Sequence, residues 1–454
     1  MKIPRLMLCG VSSGSGKTMV TCGILQAFVR RGLRTGAYKC GPDYIDPMFH
    51  TVVIGARSGN LDSFFMEPEM LRHLLARSAA ENDISVIEGV MGYYDGIATT
   101  DLASSYSVAA ATETPAVLVV PARGMGLSIA AMVEGYCRFA ANSRIRGVIL
   151  NRVSPAIYGE LKREIEARCG VTVYGYVPNL PELAVESRHL GLHMPDEVDG
   201  LREKLDLLAA KLEETVDLDG LLRLAATAPE LDGKASTLHT GPHVRIAVAK
   251  DEAFCFYYAE NLQLLEDLGA ELVPFSPLQD AALPAGISGL LLGGGYPELY
   301  AEALSKNRAM LEQIRAAVAA GLPTIAECGG FLYLQEWLED IDGRVWPMAG
   351  ALPGRGFYTG KLRRFGYVEL TAREDTLYGP AGTVLRGHEF HYFDVDEPGD
   401  SFRAEKPVRG TAWGCIKGTK TLLAGFPHVC FYSNPRCAES FLNACRAWDK
   451  EGVQ

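Results

Sequence analysis

Short runs of apolar, β-branched residues recur along the first 180 or so positions, each followed by a loop and then a stretch of helical period. Arg5 to Cys9, Ile84 to Ile87, Val117 to Val120 and Val148 to Leu150 are the clearest of these runs, and a further strand begins near Gly36. Repeated strand–loop–helix units predict a mostly parallel, doubly wound sheet, because each parallel crossover brings a helix onto a sheet face. Ligands of such sheets sit at the carboxyl ends of the strands. Leu201 to Leu224 is amphipathic and is expected to close this half.

The pattern breaks between 227 and 243. Thr227-Ala228-Pro229-Glu230-Leu231-Asp232-Gly233-Lys234, with the Ser, Thr, His and Gly that follow, reads as a linker. Strand-like runs resume at Val244 to Ala249, Gly289 to Leu292 and Pro323 to Ala326. Two α/β domains are therefore expected, 1–235 and 236–454, which suits a chain of 454 residues.

Composition narrows the class. Apolar residues make up 48% and charged residues 22%, as in a soluble globular protein. The formal net charge of −11 argues against a nucleic-acid or anionic-membrane partner. Eleven scattered cysteines with no CxxC pair suit free thiols in a reducing cytosol, and a cytoplasmic protein is expected.

An acidic chain that binds anions must gather its cations locally, and one loop does so. Gly10-Val11-Ser12-Ser13-Gly14-Ser15-Gly16-Lys17-Thr18 follows the first strand and opens a helical stretch. Gly14, Ser15 and Gly16 let backbone N–H groups converge on phosphate oxygens, where the helix N-terminus adds its positive end. Lys17 would reach the β- and γ-phosphates of ATP, and the Thr18 hydroxyl would sit on Mg²⁺. The usual first glycine of this motif would fall at Val11, so the loop is a variant. Two acidic segments accompany it, Lys39 to Pro47 and Val86 to Gly96. A hard cation bridging phosphates wants one or two carboxylates with hydroxyl and water, and Asp43, Glu88 and Thr18 supply that set. Asn151, which ends another strand, offers a donor and an acceptor to an adenine edge, or else a simple turn.

The second half carries Pro323-Thr324-Ile325-Ala326-Glu327-Cys328-Gly329-Gly330 before an apolar helix. This sets Cys328 on a tight strand-to-helix turn, the geometry of a nucleophile elbow. A helix N-terminus lowers a thiol pKa, and a thiolate there could attack the amide of glutamine, release ammonia and leave a glutamyl thioester. Gly294 and Gly295, after the strand ending at Leu292, could bring N–H donors to the developing oxyanion. Three histidines compete as base: His388, His391 and His428. The late strand-and-loop position favours His428, with structural or substrate-lining roles for the other two.

Taken in order, these motifs resemble the cobyrinic acid a,c-diamide synthase family over nearly the whole chain. The matching segments are Ser13 to Thr18, Lys39 to Asp46, Gly59 to Asp62, Glu88 to Gly96 and Arg188 to Leu192. They continue with Asp251 to Phe254, Gly293 to Tyr300, Cys328 to Leu334, Gly387 to Tyr392 and the region of His428. The resemblance implies an N-terminal dethiobiotin-synthetase-like P-loop domain and a C-terminal class I glutamine amidotransferase domain. It implies that Lys17 and Thr18 bind ATP and Mg²⁺ with Asp43 and Glu88, that Tyr44 and Asp46 lie near the carboxylate being activated, and that Cys328 and His428 form the glutaminase pair. The expected substrates are a tetrapyrrole acid, glutamine and ATP, and ammonia would need a shielded path between docked domains. One departure is Cys430, where many class I glutaminases carry a glutamate two residues after the histidine; a Cys–His dyad is implied. Amidation of nickel-sirohydrochlorin is a chemically equivalent alternative. A regulatory ATPase with a non-catalytic glutaminase-like half is a different class, disfavoured by Ser12, where that class needs a second lysine, and by the intact Cys328/His428 pair. The sequence leaves the oligomeric state open, a homodimer included.

Overall fold

Arg5–Gly10 (β1) is buried at every position, as expected of a central strand covered on both faces. In the computed structural model, which describes residues 1–183, 195–232 and 240–451, it lies in the middle of a seven-stranded sheet. The others are Thr35–Cys40 (β2), Arg57–Leu61 (β3), Ile84–Glu88 (β4), Ala116–Pro121 (β5), Ile145–Asn151 (β6) and Thr172–Val177 (β7). All pairings are parallel, in the order β3-β2-β4-β1-β5-β6-β7. The chain divides into two compact units, Met1–Ala235 and Ser236–Gln454. The segment Arg188 to Leu192 and the boundary expected near 235 lie outside the described residues.

The helix Lys17–Arg30 packs closely on the helix Pro195–Thr215. A Cβ at Gly23 would stand 2.5 Å from Leu212 Cδ1, and Leu205, Leu208 and Leu212 are fully buried. The amphipathic stretch after Leu201 is two helices, not a continuous one. The break falls at Val216-Asp217, where Val216 bridges Gly175 and the Asp217 carboxylate accepts from the N–H of Gly220 at 2.7 Å to start the helix Leu218–Ala226.

Arg5 is fully buried within this unit. Its guanidinium donates to the carbonyls of Ile3, Thr112 and Pro229 and to the Thr114 hydroxyl, at 2.8 to 3.2 Å. Burial still pulls its pKa down to about 10. Replacing it with Met would leave these acceptors buried and unmatched. We expect Arg5→Met to cost about 2–4 kcal/mol of stability in denaturant unfolding. A change below about 0.5 kcal/mol, the usual range for surface substitutions, would refute that role.

The second unit has a six-stranded sheet of Val244–Ala249 (β8), Ala270–Phe275 (β9), Gly289–Leu292 (β10), Thr324–Glu327 (β11), Lys417–Gly418 (β12) and Leu422–Gly425 (β13). The order is β9-β8-β10-β11-β13-β12, and only the β12–β13 pair is antiparallel. A separate sheet is built on the long hairpin of Arg355–Ala372 and Val384–Val395, with His428–Val429 at its edge. Among the described residues no helix is long and apolar enough to cross a membrane.

Candidate functional site

In the first unit the chemistry collects at the carboxyl end of β1, where the winding reverses between β4 and β5. The loop from Val11 to Gly16 joins β1 to the helix Lys17–Arg30. Gly14 and Gly16 have φ of 77° and 86°, a region that glycine enters without steric cost. A Cβ on Gly16 would also meet Asn151 Nδ2 at 2.1 Å. Asn151 ends β6, is fully buried and donates from Nδ2 to the Ser15 carbonyl at 2.9 Å. Its amide therefore braces the phosphate loop, while Oδ1 has no hydrogen-bond partner. Ser15 ties the loop from within, its Oγ donating to the Ser12 carbonyl at 2.8 Å.

Lys17 Nζ donates to the carbonyls of Met91 (2.5 Å) and Ser12 (3.0 Å). Met91 holds φ at 46°, so the loop after β4 curls over the lysine. Burial and the nearby Lys39 lower the Lys17 pKa. Thr18 Oγ1 donates to Glu88 Oε1 at 2.7 Å. Glu88 is the last residue of β4 and is wholly buried. Its carboxylate is thus enclosed at the carboxyl end of the strand, against the phosphate loop.

Lys39 belongs to this site although its sequence context does not mark it. Its side chain is 7% exposed, and its Nζ lies 2.8 Å from Glu88 Oε1 and 2.5 Å from Asp46 Oδ2. Desolvation opposes the charged lysine, but Glu88, Asp46 and Asp43 outweigh it and hold its pKa well above the ordinary value. The available signal was a lysine one residue short of the end of a strand, where an unpaired charge is costly. Asp43 caps the next turn, its Oδ1 accepting from the N–H groups of Ile45 and Asp46. Asp46 lies in the short helix Ile45–Phe49, which is followed by His50, whose Nε2 lies 3.6 Å from Glu88 Oε2. Tyr44 directly precedes this helix.

Among the described residues no group of three or more His, Cys, Asp or Glu is arranged to hold a metal by itself. What is present is a hydroxyl on a carboxylate beside a phosphate loop, with Glu88 Oε2 buried and lacking a hydrogen-bond partner. Those oxygens fit Mg²⁺, which is typically shared between one or two protein ligands, phosphates and water. The Lys39 ammonium already on Glu88 limits how much of that carboxylate a cation could take.

In the second unit β11 runs into the helix Gly329–Leu334 through Cys328. Cys328 holds φ 48° and ψ −98°, a strained conformation for a residue with a Cβ. Its N–H donates to the Gly425 carbonyl at 2.7 Å and its carbonyl accepts from Leu332. The turn is fixed from both sides, as a nucleophile elbow requires. Burial, with Glu298, Glu389 and Glu327 nearby, pushes the thiol pKa well above its ordinary value, the opposite of the lowering expected from the helix N-terminus.

His428 lies three residues beyond β13, the strand that pairs with β11 at Glu327↔Gly425. A Cβ on Gly294 would stand 2.3 Å from His428 Cε1, and one on Gly329 would stand 3.1 Å from the Gly295 nitrogen. Gly294, Gly295, Cys328 and His428 thus meet beyond the carboxyl ends of β10, β11 and β13. Glu327, which no motif marks, joins them. Its Oε1 accepts from the Val429 N–H at 3.1 Å, and Oε2 lies 3.6 Å from His428 Nδ1. Its place immediately before the cysteine was the signal, obscured because acids are usually sought after the histidine.

The other two histidines face different neighbours. His391 Nε2 lies 3.1 Å from Glu389 Oε2, its Nδ1 lies 2.6 Å from the Phe393 carbonyl, and its ring stacks on Phe426 at 3.9 Å. His388 pairs with His428 across the strands, and burial lowers its pKa to about 3.

Known proteins resemble the chain along both units. Residues 6–192 match the CobQ/CobB/MinD/ParA nucleotide binding domain, and residues 245–436 match the CobB/CobQ-like glutamine amidotransferase domain. The chain is 40% identical to the cobyrinate a,c-diamide synthase of Caldanaerobacter subterraneus subsp. tengcongensis, covering 98% of this chain and 99% of that one. It is 38% identical to the enzyme of the same name from Priestia megaterium (98% and 98%) and 40% identical to that of Salmonella typhimurium (97% and 98%).

Proposed function

This chain belongs to the cobyrinate a,c-diamide synthase family, and on that premise we propose that it converts the a and c carboxylates of cobyrinate to amides. It is a ligase of the glutamine-dependent kind, with a nucleotide-binding half and an amidotransferase half. The observation that carries the reading is the presence in one chain of a braced phosphate loop beside a carboxylate–ammonium cluster and of a cysteine elbow beside a histidine.

A carboxylate is a poor electrophile, so the γ-phosphoryl of ATP passes to a substrate carboxylate oxygen. ADP leaves, and an acyl phosphate forms. Lys17 exchanges its loop carbonyls for phosphate oxygens and neutralises charge in the transfer. Thr18 and Glu88, with Asp43, would hold a magnesium ion, which when bound shields the β- and γ-phosphates. Lys39 holds Asp46 and Glu88 in place beside the reacting groups. Tyr44 and Asp46 would line the substrate carboxylate.

In the second unit the Cys328 sulfur attacks the glutamine amide while His428 takes the thiol proton and returns it to the departing ammonia. Gly294 and Gly295 would offer N–H groups to the oxyanion. Water then releases glutamate from the thioester, and ammonia displaces phosphate from the acyl phosphate. Two such rounds would consume two ATP and two glutamine. Glu327, held by the Val429 N–H, would orient His428 in place of the acid missing at Cys430. We expect Glu327→Gln to lower the glutamine-dependent rate by about tenfold to a hundredfold. Ammonia-dependent amidation should be unchanged; equal loss with both nitrogen sources would exclude the orienting role.

The test is mass spectrometry of cobyrinic acid incubated with the protein, Mg-ATP and glutamine. Two successive losses of about one mass unit each, as OH is replaced by NH₂, are expected from the two carboxylate-to-amide conversions. An unchanged mass would overturn the assignment.

A further inference from the structure

The long hairpin of the second unit carries features that neither the phosphate loop nor the cysteine elbow uses. Three large aromatic residues stand exposed together on it: Phe365 at 56%, Phe390 at 51% and Tyr392 at 44%. Phe390 packs against Phe365 (5.5 Å between centroids) and Tyr392 (6.0 Å). The alternate residues His391 and Phe393 are buried on the opposite face. Burial of that opposite face does not explain why the outer one is aromatic, since an exposed strand face is normally polar. Clustered apolar surface of this kind marks a binding site.

The hairpin is also irregular at this point. Pairing runs regularly to Tyr358↔Phe393, then jumps to Arg363↔His391 and again to Gly366↔Glu389, so residues of the first strand loop out. Arg364 sits within the irregularity at φ 43°, between Gly360 at 70° and Gly366 at 104°. Bulges of this kind re-aim side chains. Lys406 fixes the bulge, donating from Nζ to the carbonyls of Arg364 and Gly366 at 2.7 and 3.0 Å. The segment is basic in a chain of net charge −11, with Lys361, Arg363 and Arg364 immediately before Phe365 in the chain. Asp394 is the carboxylate facing both guanidiniums, at 3.7 Å from Arg363 and 3.5 Å from Arg364. One carboxylate against two guanidiniums leaves net positive charge.

We propose that this bulged face, Phe365, Phe390 and Tyr392 with Lys361, Arg363 and Arg364, is a docking surface for the polycarboxylate macrocycle, an inference that rests on the cobyrinate reading above. A flat ring system with peripheral carboxylates matches the patch in both respects. Its face covers the aromatic rings, and its carboxylates take the guanidiniums as planar hydrogen-bonded pairs. Most of the acidic surface repels such a ligand, which focuses it on the basic segment.

The test uses the full chain and two double variants, Phe365→Ala/Phe390→Ala and Arg363→Gln/Arg364→Gln. Cobyrinic acid is titrated by its visible spectrum, and ammonia-driven amidation is followed by mass spectrometry. Both variants should raise the Kd and the KM for cobyrinic acid at least about tenfold, with kcat and glutamine hydrolysis unchanged. The arginine variant should also show a shallower dependence of Kd on salt. An unchanged KM while the parent protein amidates cobyrinic acid overturns the surface and leaves the function standing. Variant-sensitive binding of cobyrinic acid by a parent that never amidates it overturns the function and leaves the surface standing. A change in sedimentation that accounts for the whole effect identifies the face as a contact between copies of the chain and overturns the proposal.

Discussion

Cys328→Ser is expected to abolish glutamine-dependent amide formation, by about 10⁴-fold or more, while leaving amidation driven by ammonia near the parent rate. The size follows from the setting of the thiol. Burial and the surrounding carboxylates hold it protonated, so attack on glutamine requires His428 to remove the proton as the carbon–sulfur bond forms. A serine hydroxyl in the same elbow is far less acidic, and the same base cannot compensate. The ammonia arm separates chemistry from folding, because the phosphate-loop site does not use Cys328. Parallel quantification of glutamate and amide product checks it. Glutamine-dependent activity retained within about tenfold would mean that another nucleophile acts.

This experiment addresses the residues that the sequence made most legible. The phosphate loop and the elbow are both short segments whose chemistry depends on local backbone, a strand turning sharply into a helix. Glycine and small-residue spacing records such turns directly, so Gly14, Gly16, Lys17, Thr18 and Cys328 could be picked out from the pattern. The central strands were legible because they are apolar runs buried on both faces. Lys39 and Glu327 were not, because their meaning depends on what lies across the sheet. Lys39 reads as a surface charge until β2 is set beside β4 at Lys39↔Glu88. Glu327 reads as an ordinary polar residue until β11 and β13 bring Val429 and His428 to it. The hairpin Arg355–Ala372 with Val384–Val395 was also missed as a pair of strands. Its outer face breaks the alternation of apolar and polar positions, and its bulges break the period.

Lys17→Ala is expected to reduce amidation about 10³-fold whether glutamine or ammonia supplies the nitrogen. Nζ is held by the Ser12 and Met91 carbonyls, so the ammonium is kept at the loop mouth before nucleotide arrives. Its pKa is lowered by burial and by Lys39, and binding of a triphosphate supplies negative charge that offsets this and favours the ammonium form. Glutamine hydrolysis, read as glutamate released, should persist in this variant, the converse of the Cys328→Ser result. Steady-state rates at saturating ATP distinguish lost transfer from lost nucleotide affinity. A loss confined to the glutamine arm would contradict the assignment of Lys17 to phosphoryl transfer.

The conformation of Cys328 also has a consequence for how this position responds to change. Ordinarily alanine at a buried site outlasts glycine on heating, since glycine gives the unfolded chain more freedom to lose. At φ 48° and ψ −98° the Cβ itself is the source of tension, and that ranking should invert. Cys328→Gly should melt above Cys328→Ala although it removes more atoms. The native thiol is therefore retained at a site where a less reactive residue would make a sturdier protein, and robustness has been traded for reactivity at a single backbone angle.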